Sequence, residues 1–123
     1  MPEFRRGKAV LYYEIYGEGY PILLFAPGGM RSSIDFWSNS EWNPITALSS
    51  NFQVIAMDQR NAGKSKAPIT GSDGWKIYTE DHMALIDHLG IDTCHLLGGS
   101  IGGPYSLGII KDELKRLSAA VLH

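Results

Sequence analysis

A short glycine-rich segment, Gly98-Gly99-Ser100-Ile101-Gly102, has the G-x-S-x-G pattern that can present a serine as a nucleophile. It directly follows an apolar run typical of a buried strand and directly precedes a pattern typical of a helix. The glycines two positions before and after Ser100 remove side chains that would collide in so tight a turn. Ser100 would then stand at a helix amino end, where the Ile101 amide could donate to a developing oxyanion.

An oxyanion needs a second amide donor, and we expect it in the loop that follows the apolar run of residues 21–26. This loop opens with Pro27-Gly28-Gly29-Met30. Because glycine allows a close approach of the backbone to a substrate oxygen, Gly29 is the first candidate and Met30 the next. The alternative interpretation is an ordinary loop opening without a catalytic role.

Several large apolar side chains follow in the same loop: Met30, Ile34, Phe36, Trp37 and Trp42. The loop leaves the carboxyl end of a predicted strand, which is where α/β sheets bind ligands. As a hypothesis, Met30, Phe36, Trp37 and Trp42 form an apolar wall for an acyl or aromatic group. An equally weighted alternative is that the aromatic rings only pack the loop against the rest of the protein.

The elements that position these residues alternate between short apolar runs and helical patterns. Residues 21–26, 52–57, 94–97 and 118–122 are predicted to be strands buried on both faces of a parallel sheet. Residues 9–16 form an earlier strand, and Gly17-Glu18-Gly19 predicts a hairpin that pairs it with residues 21–26. This order predicts an α/β fold with a mostly parallel sheet, opened by a β-hairpin and covered by helices on both faces.

Three helices are predicted between the strands. The first has Asn43 as its N-cap and Pro44 in its first turn. The second is predicted to begin at a Thr79 cap and to stop at Gly90, and the third covers residues 101–114. One face of the second helix carries Tyr78, His82, Leu85, Ile86 and Leu89.

Three segments, in chain order, resemble the α/β-hydrolase superfamily of the AB hydrolase-1 type over essentially the whole chain. Residues 27–29 resemble its oxyanion loop, residues 58–65 its D-x-R-G-x-G-x-S turn, and residues 98–103 its nucleophile elbow. Pro27 replaces the usual histidine, and Asn61 replaces a glycine, for which Asn is the best substitute in a left-handed conformation. In the family the segment 58–65 is mainly structural, so the resemblance gives Asp58 and Arg60 no catalytic role.

The resemblance implies a hydrolase of ester-like or related small-molecule acyl substrates with Ser100 as the nucleophile. A serine at this position argues against the branches that use Asp or Cys, but it does not separate esterase, lipase, thioesterase, peptidase, C–C hydrolase, perhydrolase and acyltransferase activities. The alternative is a non-catalytic binding module with the same fold.

In this fold the acid and the histidine follow the serine in the chain. We therefore expect them beyond His123, and we expect residues 1–123 to be a partial domain that is inactive alone. The expected partner is the missing C-terminal half of the domain, or a second copy bound through the exposed sheet edge.

The histidines in the chain offer no evident base and no evident metal site. His82 is predicted to be a core residue, His88 solvated, His95 part of a strand, and His123 the end of a strand. Asp81, His82, Asp87 and His88 lack the i, i+4 ligand spacing of a helical metal site, so neither a metal nor a cofactor is expected. Gly63-Lys64-Ser65 ends like a phosphate-binding loop, but Asp58 stands where the first glycine is required.

Charge and composition narrow the class of protein further. The chain has 11 basic and 13 acidic residues, spread without a like-charged block, which argues against nucleic acid and membrane surfaces as partners. The charged start and the short apolar runs predict a cytoplasmic protein without a secretory leader. The single cysteine, Cys94, is expected to be a small buried apolar side chain.

Overall fold

The computed structural model describes residues 3–26, 32–39, 42–68, 75–98, 109–111 and 113–122. Its strands are β1 (Glu3–Arg6), β2 (Ala9–Tyr16), β3 (Tyr20–Phe25), β4 (Phe52–Met57), β5 (Cys94–Gly98) and β6 (Leu117–Leu122). Its helices are α1 (Pro44–Leu48) and α2 (Trp75–His88), with 3-10 turns at Ile34–Asn39 and Leu114–Arg116. Residues 109–111 are helical as well.

These strands form one mixed sheet in the order β1-β2-β4-β3-β5-β6. The strands β4, β3, β5 and β6 are parallel, and β2 is antiparallel to both β1 and β4. The predicted α/β fold with a mostly parallel sheet is confirmed, and a hairpin does open it.

The predicted pairing of residues 9–16 with residues 21–26 is wrong, because the opening hairpin joins β1 and β2 and β4 lies between β2 and β3. The glycines after β2 explain the difference. Gly17 and Gly19 have φ angles of +79° and +124°, and a Cβ at Gly17 would lie 2.1 Å from the Ser49 carbonyl oxygen. The turn therefore packs closely against the segment that leads into β4, and β4 takes the place beside β2.

Two apolar layers cover the sheet, one on each face, as predicted. The layer under α2 includes Phe4, Leu11, Leu23, Phe25, Ile55, Met57, Leu85, Ile86, Leu96 and Ile109. The layer under α1 and the Ile34–Asn39 turn includes Tyr12, Leu24, Ala26, Ile34, Trp37, Val54 and Ala56. Neighbouring residues of β3 and β4 point to opposite layers, so both central strands are buried on both faces.

The helix boundaries are partly as predicted. The Asn43 side chain caps α1 by accepting a 3.0 Å hydrogen bond from the Ile45 amide, which confirms the predicted cap. Gly90, with φ +71°, follows the end of α2 as predicted. The predicted start at Thr79 is wrong, because the helix begins at Trp75 and Thr79 is buried inside it. Most of the predicted helix over residues 101–114 lies outside the described residues.

Asp81, inside α2, connects three elements of the fold. Asp81 is fully buried and accepts hydrogen bonds from Arg60 Nε at 2.9 Å and Arg60 Nη2 at 2.8 Å. It accepts a third from Arg6 Nη1 at 2.9 Å. One carboxylate thus joins β1, the turn after β4 and α2.

The candidate metal ligands along α2 each have a separate environment. His82 is buried, as predicted, and its Nε2 lies 2.7 Å from Gln59 Oε1 in a hydrogen bond. Burial lowers the pKa of His82 to about 3. Asp87 pairs with Arg116, and the exposed His88 stacks on Phe4.

Cys94 is fully buried in the α2 layer, as predicted, and burial raises the pKa of its thiol to about 11. In the described ranges, no helix combines the length and the hydropathy that crossing a bilayer would require.

Replacing Asp81 by Asn should lower the free energy of unfolding by about 3 kcal/mol, because two arginines would lose a buried anionic partner. Urea denaturation measures the change. The control is Asp87→Asn at the exposed pair with Arg116, where the Asp87 side chain is 63% exposed and a loss below about 1 kcal/mol is expected. Equal losses in the two variants would contradict the role given to Asp81.

Acid should destabilise the fold through His82. Its pKa is about 3 in the folded chain and 6.5 in the unfolded chain, so only the unfolded chain takes up this proton between those values. Stability is therefore complete above pH 6.5 and falls as the pH falls, by up to about 1.4 kcal/mol per pH unit. In urea titrations between pH 5 and 7, His82→Gln should flatten this dependence, whereas His88→Gln should leave it unchanged; an unchanged slope in His82→Gln would contradict the assignment.

Candidate active site

The predicted nucleophile turn and the predicted oxyanion loop begin at neighbouring positions. Phe25, the last residue of β3, pairs in register with Gly98, the last residue of β5, and the two strands are parallel. The segments that follow therefore leave the same edge of the sheet from adjacent strands, at the place where ligands bind in α/β sheets. Ser100, Ile101, Gly29 and Met30 themselves lie outside the described residues.

The turn after β4 leaves the same edge on the other side of β3. Asp58, which is almost fully buried, follows the end of β4 directly. Its Oδ1 accepts a 2.7 Å hydrogen bond from the Ile34 amide, and its Oδ2 accepts a 2.7 Å hydrogen bond from the Lys64 amide. The carboxylate thus links the chain after β3 to the chain after β4.

A buried serine adds two more links between the same segments. The Ser32 hydroxyl donates to the Ala26 carbonyl oxygen at 2.6 Å, and the Ser32 carbonyl accepts from the Gln59 amide at 2.9 Å. Ser32 was not among the residues predicted from the sequence. The available signal was weak, since a serine five residues after a Pro-Gly opening has no distinctive spacing.

The backbone of the turn over residues 58–65 has the conformation that its motif predicts. Asn61 adopts the left-handed region with φ +61°, as expected for a residue in place of glycine. Gly63 has φ +52°, and a Cβ there would lie 2.3 Å from Asp58 Oδ2. The Ser65 hydroxyl donates to the Asp58 carbonyl at 2.6 Å and accepts from the Tyr12 amide at 2.8 Å.

This geometry argues against the phosphate-binding interpretation of Gly63-Lys64-Ser65. The Lys64 amide, which would have to point at a phosphate, donates instead to the Asp58 carboxylate. A carboxylate at this position would also repel a phosphate.

The aromatic residues of the predicted substrate wall lie in three different environments. Trp37 is 8% exposed and packs in the α1 layer beside Leu24 and Ala56. Phe36 is 43% exposed and contacts the Trp37 ring edge-to-face with centroids 5.1 Å apart. Trp37 therefore packs the segment down, and Phe36 presents its ring outward.

Trp42, 54% exposed, lines an apolar cavity of about 320 Å³ together with Ile22, His95 and Ala119. Ile22 pairs with His95, and His95 with Ala119, near the amino ends of their parallel strands. Leu48 of α1 also lines this cavity, which therefore lies on the α1 face of the sheet, and the lining extends along β5 to Leu97.

A pair of tyrosines flanks the same face without offering a base. The hydroxyls of Tyr12 and Tyr16 both donate to the Glu14 carboxylate. These hydrogen bonds, reinforced by burial, raise the pKa of each phenol to about 12. Both phenols are therefore protonated at neutral pH.

Comparisons with known proteins agree with this architecture. A family model described as the alpha/beta hydrolase fold matches residues 21–123. RutD of Azorhizobium caulinodans, provisionally named a carbamate hydrolase, is 38% identical over 103 residues, covering 84% of this chain and 36% of RutD. The soluble epoxide hydrolase of Corynebacterium sp. is 38% identical over 96 residues, covering 76% of this chain and 30% of that protein.

A solved structure shows the same arrangement. The enol-lactonase of Burkholderia xenovorans LB400 superposes with a TM-score of 0.83 at 26% identity, covering 97% of this chain and 45% of the lactonase. The chain thus spans less than half the length of each of these proteins. The family match over residues 21–123, together with the order of the sheet, shows that this chain belongs to the α/β-hydrolase fold family.

Proposed function

We propose that this chain carries the nucleophile and the oxyanion amides of a serine hydrolase for ester-like or related acyl substrates. The observation that carries the proposal is the register of Phe25 with Gly98. Because the two strands are parallel neighbours, the loop with Gly29 and the turn with Ser100 start side by side at the sheet edge. A substrate carbonyl between them can meet a hydroxyl and two amides together.

In the proposed reaction, the Ser100 hydroxyl oxygen attacks the carbonyl carbon of the substrate. Its proton passes to a general base, and the negative charge that forms on the carbonyl oxygen is held by the amides of Ile101 and Gly29, with Met30 as the next candidate. The leaving group departs with the proton, and a water molecule then hydrolyses the acyl-enzyme.

The proposal assigns no base among residues 1–123. His82 is bound to Gln59 inside the core and has a pKa lowered to about 3, which keeps it from taking up a proton near neutral pH. In the family the acid and the histidine follow the nucleophile in the chain. We propose that they do so here, and that residues 1–123 alone have negligible activity.

The names of the relatives favour an acyl substrate. A carbamate and a lactone, which the names of RutD and the enol-lactonase specify, each contain a carbonyl carbon bonded to a heteroatom. The soluble epoxide hydrolase and RutD have the same sequence identity to this chain, 38%. An epoxide has no carbonyl oxygen for paired amides to stabilise, so the proposed oxyanion donors fit the acyl class better.

We further propose that Phe36 contributes an apolar wall for the acyl or aromatic part of the substrate. It follows the loop at the carboxyl edge and is exposed there, while Trp37 supports it from the core. Trp42, which lines the apolar cavity on the α1 face of the sheet, is a second candidate for this wall.

Ser100→Ala in the natural gene product should abolish both ester hydrolysis and covalent labelling by a fluorophosphonate probe, with a loss in kcat of at least about 10³-fold. Mass spectrometry of the labelled peptide locates the adduct. Ser106→Ala, six residues further along the predicted helix, is the matched control and should keep both properties. Absence of labelling in the unmodified protein would favour a non-catalytic binding module instead.

Phe36→Ala should raise KM for aryl esters by about 10-fold relative to acetate esters, since the lost ring contributes about 1–2 kcal/mol of apolar contact. Steady-state kinetics with the paired substrates measure the ratio. Trp37→Leu, a change in the layer beneath, should lower the urea midpoint more than it alters this ratio. A ratio unchanged in Phe36→Ala would remove Phe36 from the substrate wall.

A further inference from the structure

We propose that Ser32 and Asp58 are positioning residues, which hold both ends of the loop of residues 27–31 so that its amide can meet the carbonyl oxygen of a substrate attacked by Ser100. This inference rests on the proposed function. Ser32 lies outside all three sequence motifs. For Asp58, the proposal adds a role beyond the turn of residues 58–65.

A side-chain hydrogen bond joins the two residues on either side of residues 27–31. Ala26 and Ser32 flank this loop, and the Ser32 hydroxyl joins them directly by donating to the Ala26 carbonyl oxygen at 2.6 Å. Ser32 is fully buried and Ala26 nearly so, so this hydrogen bond does not compete with water.

Ser32 and Ile34 are in turn bonded to the turn that follows β4. The Gln59 amide donates to the Ser32 carbonyl at 2.9 Å, and the Ile34 amide donates to Asp58 Oδ1 at 2.7 Å. Both partners belong to the turn that follows β4. β4 and β5 both pair with β3. The residues that flank the loop are therefore bonded to the same sheet whose strand β5 leads to Ser100.

Asp58 uses each of its carboxyl oxygens to bind a different segment. Oδ1 accepts from Ile34 and Oδ2 from Lys64, and Gly63 leaves the space that the carboxylate fills. Burying a carboxylate is costly unless its oxygens accept hydrogen bonds. A side chain that only packed the turn would not need to reach Ile34, whereas one that positions the oxyanion loop does.

Ser65 provides a matched control within the same turn. Ser32 and Ser65 are both buried serines, and each donates to a backbone carbonyl oxygen at 2.6 Å. The Ser65 hydroxyl, however, ties the turn to Tyr12 on β2, on the side away from the loop. Ser65→Ala therefore loses comparable or greater stability without releasing the oxyanion loop.

The test compares Ser32→Ala, Asp58→Asn and Ser65→Ala in the natural gene product. Activity is measured below the unfolding midpoint of each variant and corrected for the fluorophosphonate-titratable fraction. Two readouts separate positioning from stability: the split between kcat and KM for an ester, and the inhibition constant of a trifluoromethyl ketone, whose adduct with the serine resembles the tetrahedral intermediate.

Ser32→Ala and Asp58→Asn should each lower kcat about 10- to 100-fold with KM changed less than about 2-fold, short of the 10²- to 10³-fold loss of an oxyanion donor itself. The inhibition constant of the ketone should rise by the same factor. Ser65→Ala should lower the unfolding midpoint at least as much as Ser32→Ala while keeping kcat and the inhibition constant within about 2-fold.

Two outcomes would overturn the inference in different ways. If the unmodified protein is labelled at Ser100 but Ser32→Ala and Ser65→Ala have the same kcat, then Ser32 is only structural and the proposed function stands. If the unmodified protein is not labelled at Ser100, the proposed function fails and the inference fails with it.

Discussion

The backbone hydrogen bonds of β3 with its two parallel neighbours decide where every candidate residue can lie. β3 lies between β4 and β5, so the chain segments after all three strands leave one edge of the sheet. The described turn of residues 58–65 follows β4 there, and in the chain the Pro-Gly-Gly and G-x-S-x-G segments follow β3 and β5. A shift of this register by one residue would move each β3 side chain to the opposite apolar layer and offset the ends of the strands.

Buried polar groups near this edge fix the orientation of neighbouring segments through directional hydrogen bonds, which apolar packing does not provide. Asp58 joins the amides of Ile34 and Lys64, and Asp81 joins Arg6 to Arg60. Each carboxylate accepts hydrogen bonds from segments far apart in the chain. Such networks are stabilising only when every member is satisfied, which makes their geometry specific.

Local patterns predicted local features well. Short continuous apolar runs predicted β4 to the residue and the other parallel strands within one residue at either end. Asn43 capped α1, Gly90 followed the end of α2, and Asn61 adopted a left-handed conformation. The order of the three motifs identified the family. Two predictions were wrong: the hairpin paired the wrong strands, and the start of α2 was placed at Thr79 instead of Trp75.

The sequence by itself determined which residues could do chemistry and which segments could be strands or helices, because backbone conformation and side-chain periodicity are properties of neighbouring residues. Only the tertiary structure decided that β4 lies between β2 and β3, that Trp37 packs inward while Phe36 faces outward, and that Ser32 bonds to Ala26 and Asp58 to Ile34. These outcomes depend on which distant backbone groups meet once the apolar layers are buried, and no local pattern encodes that choice.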